Sequence, residues 1–257
     1  MALLDHFSLQ GRTALITGGS RGIGRAIALA YAEAGARVVC AARTAADVEQ
    51  VAAAARAHGN DALGIACDVT DEAQLDRLVA QTLERFGAID ILVNNAGGGG
   101  PNDALKTSAQ RFDAVLHFNV TVAFTLSAKV VPHMQAGQGG SIINISSAAS
   151  RYAQKHFSAY GSAKAALNQM TRMLAAEFAP QIRVNAIAPG GIQTDALDAF
   201  LDDAARERML AAIPLRSMGQ TEDVALAALY LASPAARWIT GKVLEIDGGA
   251  EASTWPF

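Results

Sequence analysis

Residues 13–24 read TALITGGSRGIG: a short apolar and β-branched run, a glycine-rich turn, and the start of an alanine-rich stretch. The run suits a buried strand. Gly18, Gly22 and Gly24 give Gly-x-x-x-Gly-x-Gly. In a strand-to-helix turn such glycines serve a sharp bend, close approach of the backbone to a pyrophosphate, and tight packing of helix on strand. A helix opening there offers free N–H groups and the positive end of its dipole to an anion. A glycine turn alone is a weak signal, and its setting between a strand and a helix makes it a strong one. Ser20, Arg21 and Ile23, which fill the turn, are further candidate contacts for a dinucleotide.

Working outward, apolar runs recur at 13–17, 37–41, 62–67, 89–94, 141–146, 183–187 and 243–246. Between them lie stretches of helical period at 24–34, 46–58, 72–86, 109–134, 158–178 and 221–231. This alternation is the pattern of βαβ units around a parallel sheet. Most of the strands are apolar on both faces, so helices must cover both sides. The expected fold is α/β: a doubly wound, seven-stranded parallel sheet of the Rossmann type, in a single dinucleotide-binding domain over residues 1–257. Asp71 and Thr221 stand where helix N-caps belong,. Residues 193–218 break the rhythm with the charged stretch DDAARERML. Ligands of such sheets bind beyond the carboxyl ends of the strands, so this excursion is read as a substrate lid rather than a solvated surface helix.

Composition narrows the function. The chain has 257 residues, 51% hydrophobic and 18% charged, with a formal net charge of −3. Its Lys and Arg residues are scattered, leaving no basic stripe for nucleic acid. The apolar stretch near the N-terminus is too short for a signal-peptide core. No unbroken run of ~20 apolar residues occurs, so no membrane span is expected, and the cytoplasm is the expected compartment. Cys40 and Cys67 lie in apolar runs and read as reduced core residues, without a disulfide or metal,.

The second strand ends Cys40-Ala41-Ala42-Arg43. A carboxylate there would grip a ribose 2′-hydroxyl, and here a small residue and a guanidinium take its place. With Arg21 as a second cation suited to phosphate, NADP(H) is preferred, and NAD(H) is the alternative. Asp68, in CDVTD, is placed to accept from an adenine amino group. Tyr160 and Lys164 are four positions apart in SAYGSAK, on one face of a helix. An ammonium beside a phenol favours the phenolate, giving a tuned proton donor and acceptor. Ser147 ends the strand SIINISS at the ligand-binding edge, where its hydroxyl can meet the phenol. Asn119, inside the long fourth helix, is unfavourable for a helix interior and points to a local kink or a bound water.

Taken together, TGGSRGIG, CDV with Asp68 and Val69, NNAG with Asn95, Ala96 and Gly97, Asn119, Ser147, Tyr160 with Lys164, and Pro189-Gly190 with Ile192 and Thr194 resemble the short-chain dehydrogenases/reductases across essentially the whole chain. The resemblance implies interconversion of a ketone and a secondary alcohol by hydride transfer. It implies Tyr160 as general acid/base, with Lys164 lowering its pKa and holding the nicotinamide ribose. It further implies that Ser147 orients the carbonyl, that Asn119 supports a proton relay through water, and that residues 187–194 contact nicotinamide and phosphates. Members are usually homotetramers or homodimers. Local stretches are similar to bacterial 7α-hydroxysteroid dehydrogenases, and related sequences occur among 3-oxoacyl-carrier-protein reductases. A non-catalytic dinucleotide sensor of the same fold is the competing reading, and it has no use for an intact acid/base set. Enoyl reductases of related fold resemble a wider Tyr-to-Lys spacing than the one found here.

Overall fold

Every residue of Thr13–Thr17 (β1) is buried. Side chains alternate across a strand, so Ala14 and Ile16 enter one apolar core and Leu15 enters another. The same division runs along Arg37–Ala42 (β2), with Val38 and Cys40 on one side and Val39 and Ala41 on the other. The computed structural model describes residues 2–198 and 201–256. The remaining strands are Ala62–Ala66 (β3), Ile91–Asn94 (β4), Gly140–Ile145 (β5), Ile182–Pro189 (β6) and Val243–Ile246 (β7). They join in the order β3-β2-β1-β4-β5-β6-β7, every neighbouring pair parallel. The direction of winding reverses between β1 and β4, which is where a doubly wound sheet opens a crevice.

The helices are Gly22–Glu33 (α1), Ala45–Arg56 (α2), Glu72–Phe86 (α3), Ala109–Leu116 (α4), Val122–Ala136 (α5), Ser158–Phe178 (α6), Asp195–Asp198 (α7), Asp203–Ala212 (α8) and Thr221–Ala232 (α9). Helices α1, α2 and α9 bury Ile27, Val51 and Leu231 in the first core. Helices α3, α5 and α6 bury Leu78, Leu126 and Leu174 in the second. Cys40 and Cys67 belong to opposite cores and are free. Burial pushes their thiols up to about 12 and about 11, which favours the protonated form over the nucleophilic thiolate.

Several boundaries differ from the sequence reading. Asp71 caps α3 as expected, accepting from the N–H groups of Ala73 and Gln74. Helix α9, however, is capped at Gln220, whose N–H donates to Asp223 at 2.7 Å, and Thr221 is its first helical residue. The long fourth helix is interrupted by a π-turn over His117–Thr121, the kink expected at Asn119. Together α4, the π-turn and α5 run 28 residues and contain an 18-residue stretch with a mean hydropathy of 1.5, enough in length and composition to cross a bilayer. No unbroken apolar run marks this unit in the sequence, because polar residues interrupt it. Leu126, Val130 and Met134 of this unit are buried in the core, and Lys129 ion-pairs with Asp76 at 2.5 Å and Glu72 at 3.1 Å. The unit is therefore packed as a core helix.

Candidate active site

The chain leaves β1 at Thr17 and turns into α1. Gly22 has φ +53°, a conformation that side-chain residues avoid. A Cβ on Gly24 would stand 2.2 Å from the Gly18 carbonyl oxygen, so the helix sits directly on the turn. Arg21 occupies the N-cap without a side-chain cap bond. No side chain spends the first-turn N–H groups, which leaves them to an anion. Ser20 and Ile23 are half-buried and Arg21 is exposed. Asn95, just after β4, donates from Nδ2 to the carbonyls of Thr17 and Gly18, both at 3.0 Å. Thr17 Oγ1 accepts from the N–H groups of Asn95 and Ala96, both at 3.1 Å. Thr17 went unnoticed in the sequence, where a threonine closing a strand carries no distinctive spacing.

At the next strand ends, Ala42 is half-buried and Arg43 exposed. Asp68 Oδ1 accepts from the Thr70 N–H at 2.9 Å and hydroxyl at 2.7 Å. These bonds hold its carboxyl below the usual range, and Arg43 adds to the effect through its charge. Arg43 and Asp68 are therefore neighbours, with Val69 buried beside them. Arg21 and Arg43, expected to act as a pair, are exposed, and no contact joins them among the described residues.

The catalytic candidates converge around the loop after β4. Lys164 is buried, its Nζ donates to the Ile145 carbonyl at 2.8 Å, and it lies over the Tyr160 ring, 5.8 Å from the centre. Tyr160 hydrogen-bonds Ser147. Asn119 Oδ1 accepts from Gly98 N–H at 2.9 Å, and its Nδ2 donates to the carbonyls of Gly98 and Val115, both at 2.9 Å. Its amide hydrogens are thus committed to protein carbonyls, and one lone pair of Oδ1 is left over. A Cβ on Gly97 would come within 2.8 Å of Asn119 Oδ1 and 3.1 Å of Lys164 Nζ, so only glycine lets these two side chains close in.

Burial raises the Tyr160 phenol above its ordinary value, and the Ser147 hydrogen bond works against that rise. Burial lowers the Lys164 ammonium to about 8. The ammonium sits over the ring face, and desolvation drives both groups toward their neutral forms. Burial thus favours the protonated form of the phenol.

Beyond β6, Pro189 ends the strand and the Gly190 N–H donates to Ile246 at 2.9 Å. Buried Ile192 bridges to Gly219, closing the base of the 193–218 excursion. Thr194 Oγ1 accepts from Leu197 N–H at 3.3 Å, and its Cγ2 would lie 3.7 Å from a Cβ on Gly22, so the excursion begins against the phosphate turn. Within it, Ala205 and Met209 are buried and Arg206 pairs with Asp198 at 2.6 Å. Residues 199 and 200 of the expected lid lie outside the described residues. Sequence reasoning also missed the C-terminal tail. Arg151 ion-pairs with Asp247 at 2.8 Å and Glu245 at 3.1 Å, and Leu215 N–H donates to Gly248 at 3.2 Å. Trp255 packs on Phe157, ring centres 5.1 Å apart, and Phe157 lies 6.1 Å from Tyr160. Partners this distant in sequence leave no local signal.

A family model described as enoyl-(acyl carrier protein) reductase matches residues 18–251. An uncharacterised oxidoreductase of Mycobacterium tuberculosis is 47% identical over 249 residues, 96% of this chain and 95% of the relative. A 3-oxoacyl-[acyl-carrier-protein] reductase of Thermotoga maritima is 37% identical over 244 residues, 94% of this chain and 98% of the relative. The solved structure of a 7α-hydroxysteroid dehydrogenase complexed with NADH and 7-oxo glycochenodeoxycholic acid superposes with a TM-score of 0.94 at 39% identity, covering 97% of this chain and 98% of that one. Fold and comparisons define an NAD(P)-dependent oxidoreductase. The chain belongs to the short-chain dehydrogenase/reductase family.

The buried ammonium has a consequence for stability. Its folded value of about 8 lies below the ordinary 10.5, so between those limits the unfolded chain binds the proton more tightly. Stability contributed by this group then rises with pH across that window. Urea unfolding from pH 7 to 10.5 should show the native protein gaining on Lys164→Met, and a difference that stays flat with pH would contradict the burial of the charge.

Proposed function

We propose that the enzyme interconverts a ketone and a secondary alcohol, with Tyr160 exchanging a proton with the substrate oxygen. The observation that carries this reading is the convergence of Asn119, Tyr160 and Lys164 on the loop 97–99, with Ser147 hydrogen-bonded to Tyr160, at the carboxyl edge of the sheet. The nicotinamide cofactor supplies or takes up the hydride. Its pyrophosphate suits the turn at 18–24, its adenine the Asp68–Val69 end, and its nicotinamide half the stretch 95–97 with Pro189, Gly190, Ile192 and Thr194. Ser147 holds the carbonyl oxygen against the phenol. Lys164, with one Nζ hydrogen given to Ile145, has two more for the ribose and a water. Asn119 fixes the Gly98 backbone and offers its remaining lone pair to that water. A sensor without catalysis would gain nothing from these desolvated polar groups. The four-position spacing of Tyr160 and Lys164 favours a carbonyl reductase over an enoyl reductase.

NADP(H) is the proposed cofactor. The absence of a carboxylate at Ala42 and the exposed cations Arg43 and Arg21 support it, although the 7α-hydroxysteroid dehydrogenase neighbour was solved with NADH. Substrates of hydroxysteroid or 3-oxoacyl type fit the relatives, with residues 193–218 as a lid on a single catalytic domain. The cytoplasm is the proposed compartment. A homotetramer or homodimer is proposed, as the family resemblance implies, and the exposed apolar side chains of Phe124, Met173, Leu226 and Trp238 offer surface for such contacts.

Two substitutions test this reading. Tyr160→Phe should lower turnover by about a thousandfold or more while NADPH still binds, as followed by its fluorescence; turnover close to wild type would remove the phenol from the mechanism. Ala42→Asp should lower kcat/KM with NADPH relative to NADH by roughly tenfold to a hundredfold through repulsion of the 2′-phosphate. An unchanged ratio would mean that the phosphate does not bind there.

A further inference from the structure

Helix α6 meets the segment 144–150 along a polar seam, where a helix packed on a sheet normally offers apolar side chains. Asn144 Nδ2 donates to Thr171 Oγ1 at 2.9 Å, Ser146 Oγ donates to the Lys164 carbonyl at 3.2 Å, and Ser147 meets Tyr160. One further contact has no place in the chemistry described above. Asn168, one turn beyond Lys164, donates from Nδ2 to Ser150 Oγ at 2.7 Å. Ser150 Oγ in turn donates to the Ser147 carbonyl at 2.6 Å, and the Ser150 N–H reaches the same carbonyl at 3.0 Å. Asn168 is only 8% exposed, and its Oδ1 is buried without a hydrogen-bond partner. A half-satisfied amide in that position is costly for packing, so stability does not account for it.

The geometry suggests a mechanical role. Ser147 is the N-cap of the tight turn Ala148–Ser150, and its Oγ accepts from the Ala149 N–H at 3.2 Å. The direction of that hydroxyl therefore depends on where the turn sits, and the far end of the turn is held to α6 through Asn168. We propose that Asn168 is a positioning residue which, through Ser150, clamps the turn and fixes the Ser147 hydroxyl against the Tyr160 phenol. This rests on the assignment of Tyr160 as the proton-exchanging group. Of the charged groups, Lys164 faces the phenol from the same helix at 5.8 Å from the ring centre. Phe157 and the Gly99 loop bring apolar contact, and no carboxylate or histidine among the described residues acts on the phenol. Loosening Ser147 thus withdraws a hydrogen bond that favours the phenolate.

Asn168→Leu and Ser150→Ala each break the clamp, the first while also removing the orphaned oxygen. For alcohol oxidation with NADP+, kcat should fall roughly tenfold with KM little changed. The pH limb that reports the phenolate should move upward by roughly one pH unit. Hydrogen exchange at 147–151 should quicken in both variants, and Ser150→Thr, which keeps the hydroxyl, should restore the wild-type limb. Unchanged exchange, or a lower kcat with the limb in place, overturns the proposal. The exchange measurement needs no substrate, so a wild-type protein that oxidises no alcohol defeats the proposed function while exchange still judges the clamp.

Discussion

Where β1 and β4 lie side by side and their connections depart to opposite faces, the sheet splits at its carboxyl edge. Backbone groups there lose the neighbours that a continued ladder would have given them. In this protein two side chains make up the loss. Asn95 Nδ2 takes the carbonyls of Thr17 and Gly18, and Thr17 Oγ1 takes the N–H groups of Asn95 and Ala96. This junction holds the phosphate turn and the loop carrying Gly97 at a fixed separation. Everything in the crevice is measured from it: α1 starts on one side, and the converging side chains stand on the other.

Desolvation governs the chemistry of the crevice. It raises the Tyr160 phenol and lowers the Lys164 ammonium, opposite directions with a single cause, since burial disfavours whichever form is charged. The consequence is an acid whose protonated form burial favours, held by a serine whose hydrogen bond pulls the other way. Lys164 donates to Ile145 and lies over the Tyr160 ring. These groups stand on α6 against β5 and its following turn, along the polar seam of Asn144, Ser146 and Asn168.

The fold was legible because its signals are local. Apolar runs, alanine-rich helical periods and the glycine turn each occupy a few consecutive residues, and all seven strands appear where those runs lie. Asp71 as a cap and Asn119 as a break in its helix were legible for the same reason: a short polar side chain at such a place competes with the helix backbone. Thr221 was misread because Gln220 and Asp223 close the turn one residue earlier, a choice made by approach geometry rather than by residue preference.

The sequence by itself determined the element order, the two buried faces of the sheet and the set of chemical groups brought to its carboxyl edge, because periodicity and turn chemistry are properties of neighbouring residues. Tertiary structure alone decided how those groups act. The bond of Lys164 to Ile145, the commitment of Asn119 to Gly98, the Arg151 ties to the C-terminal tail and the clamp from Asn168 through Ser150 all depend on contacts between residues far apart in the chain. Their strength is set by burial, which no stretch of sequence carries on its own.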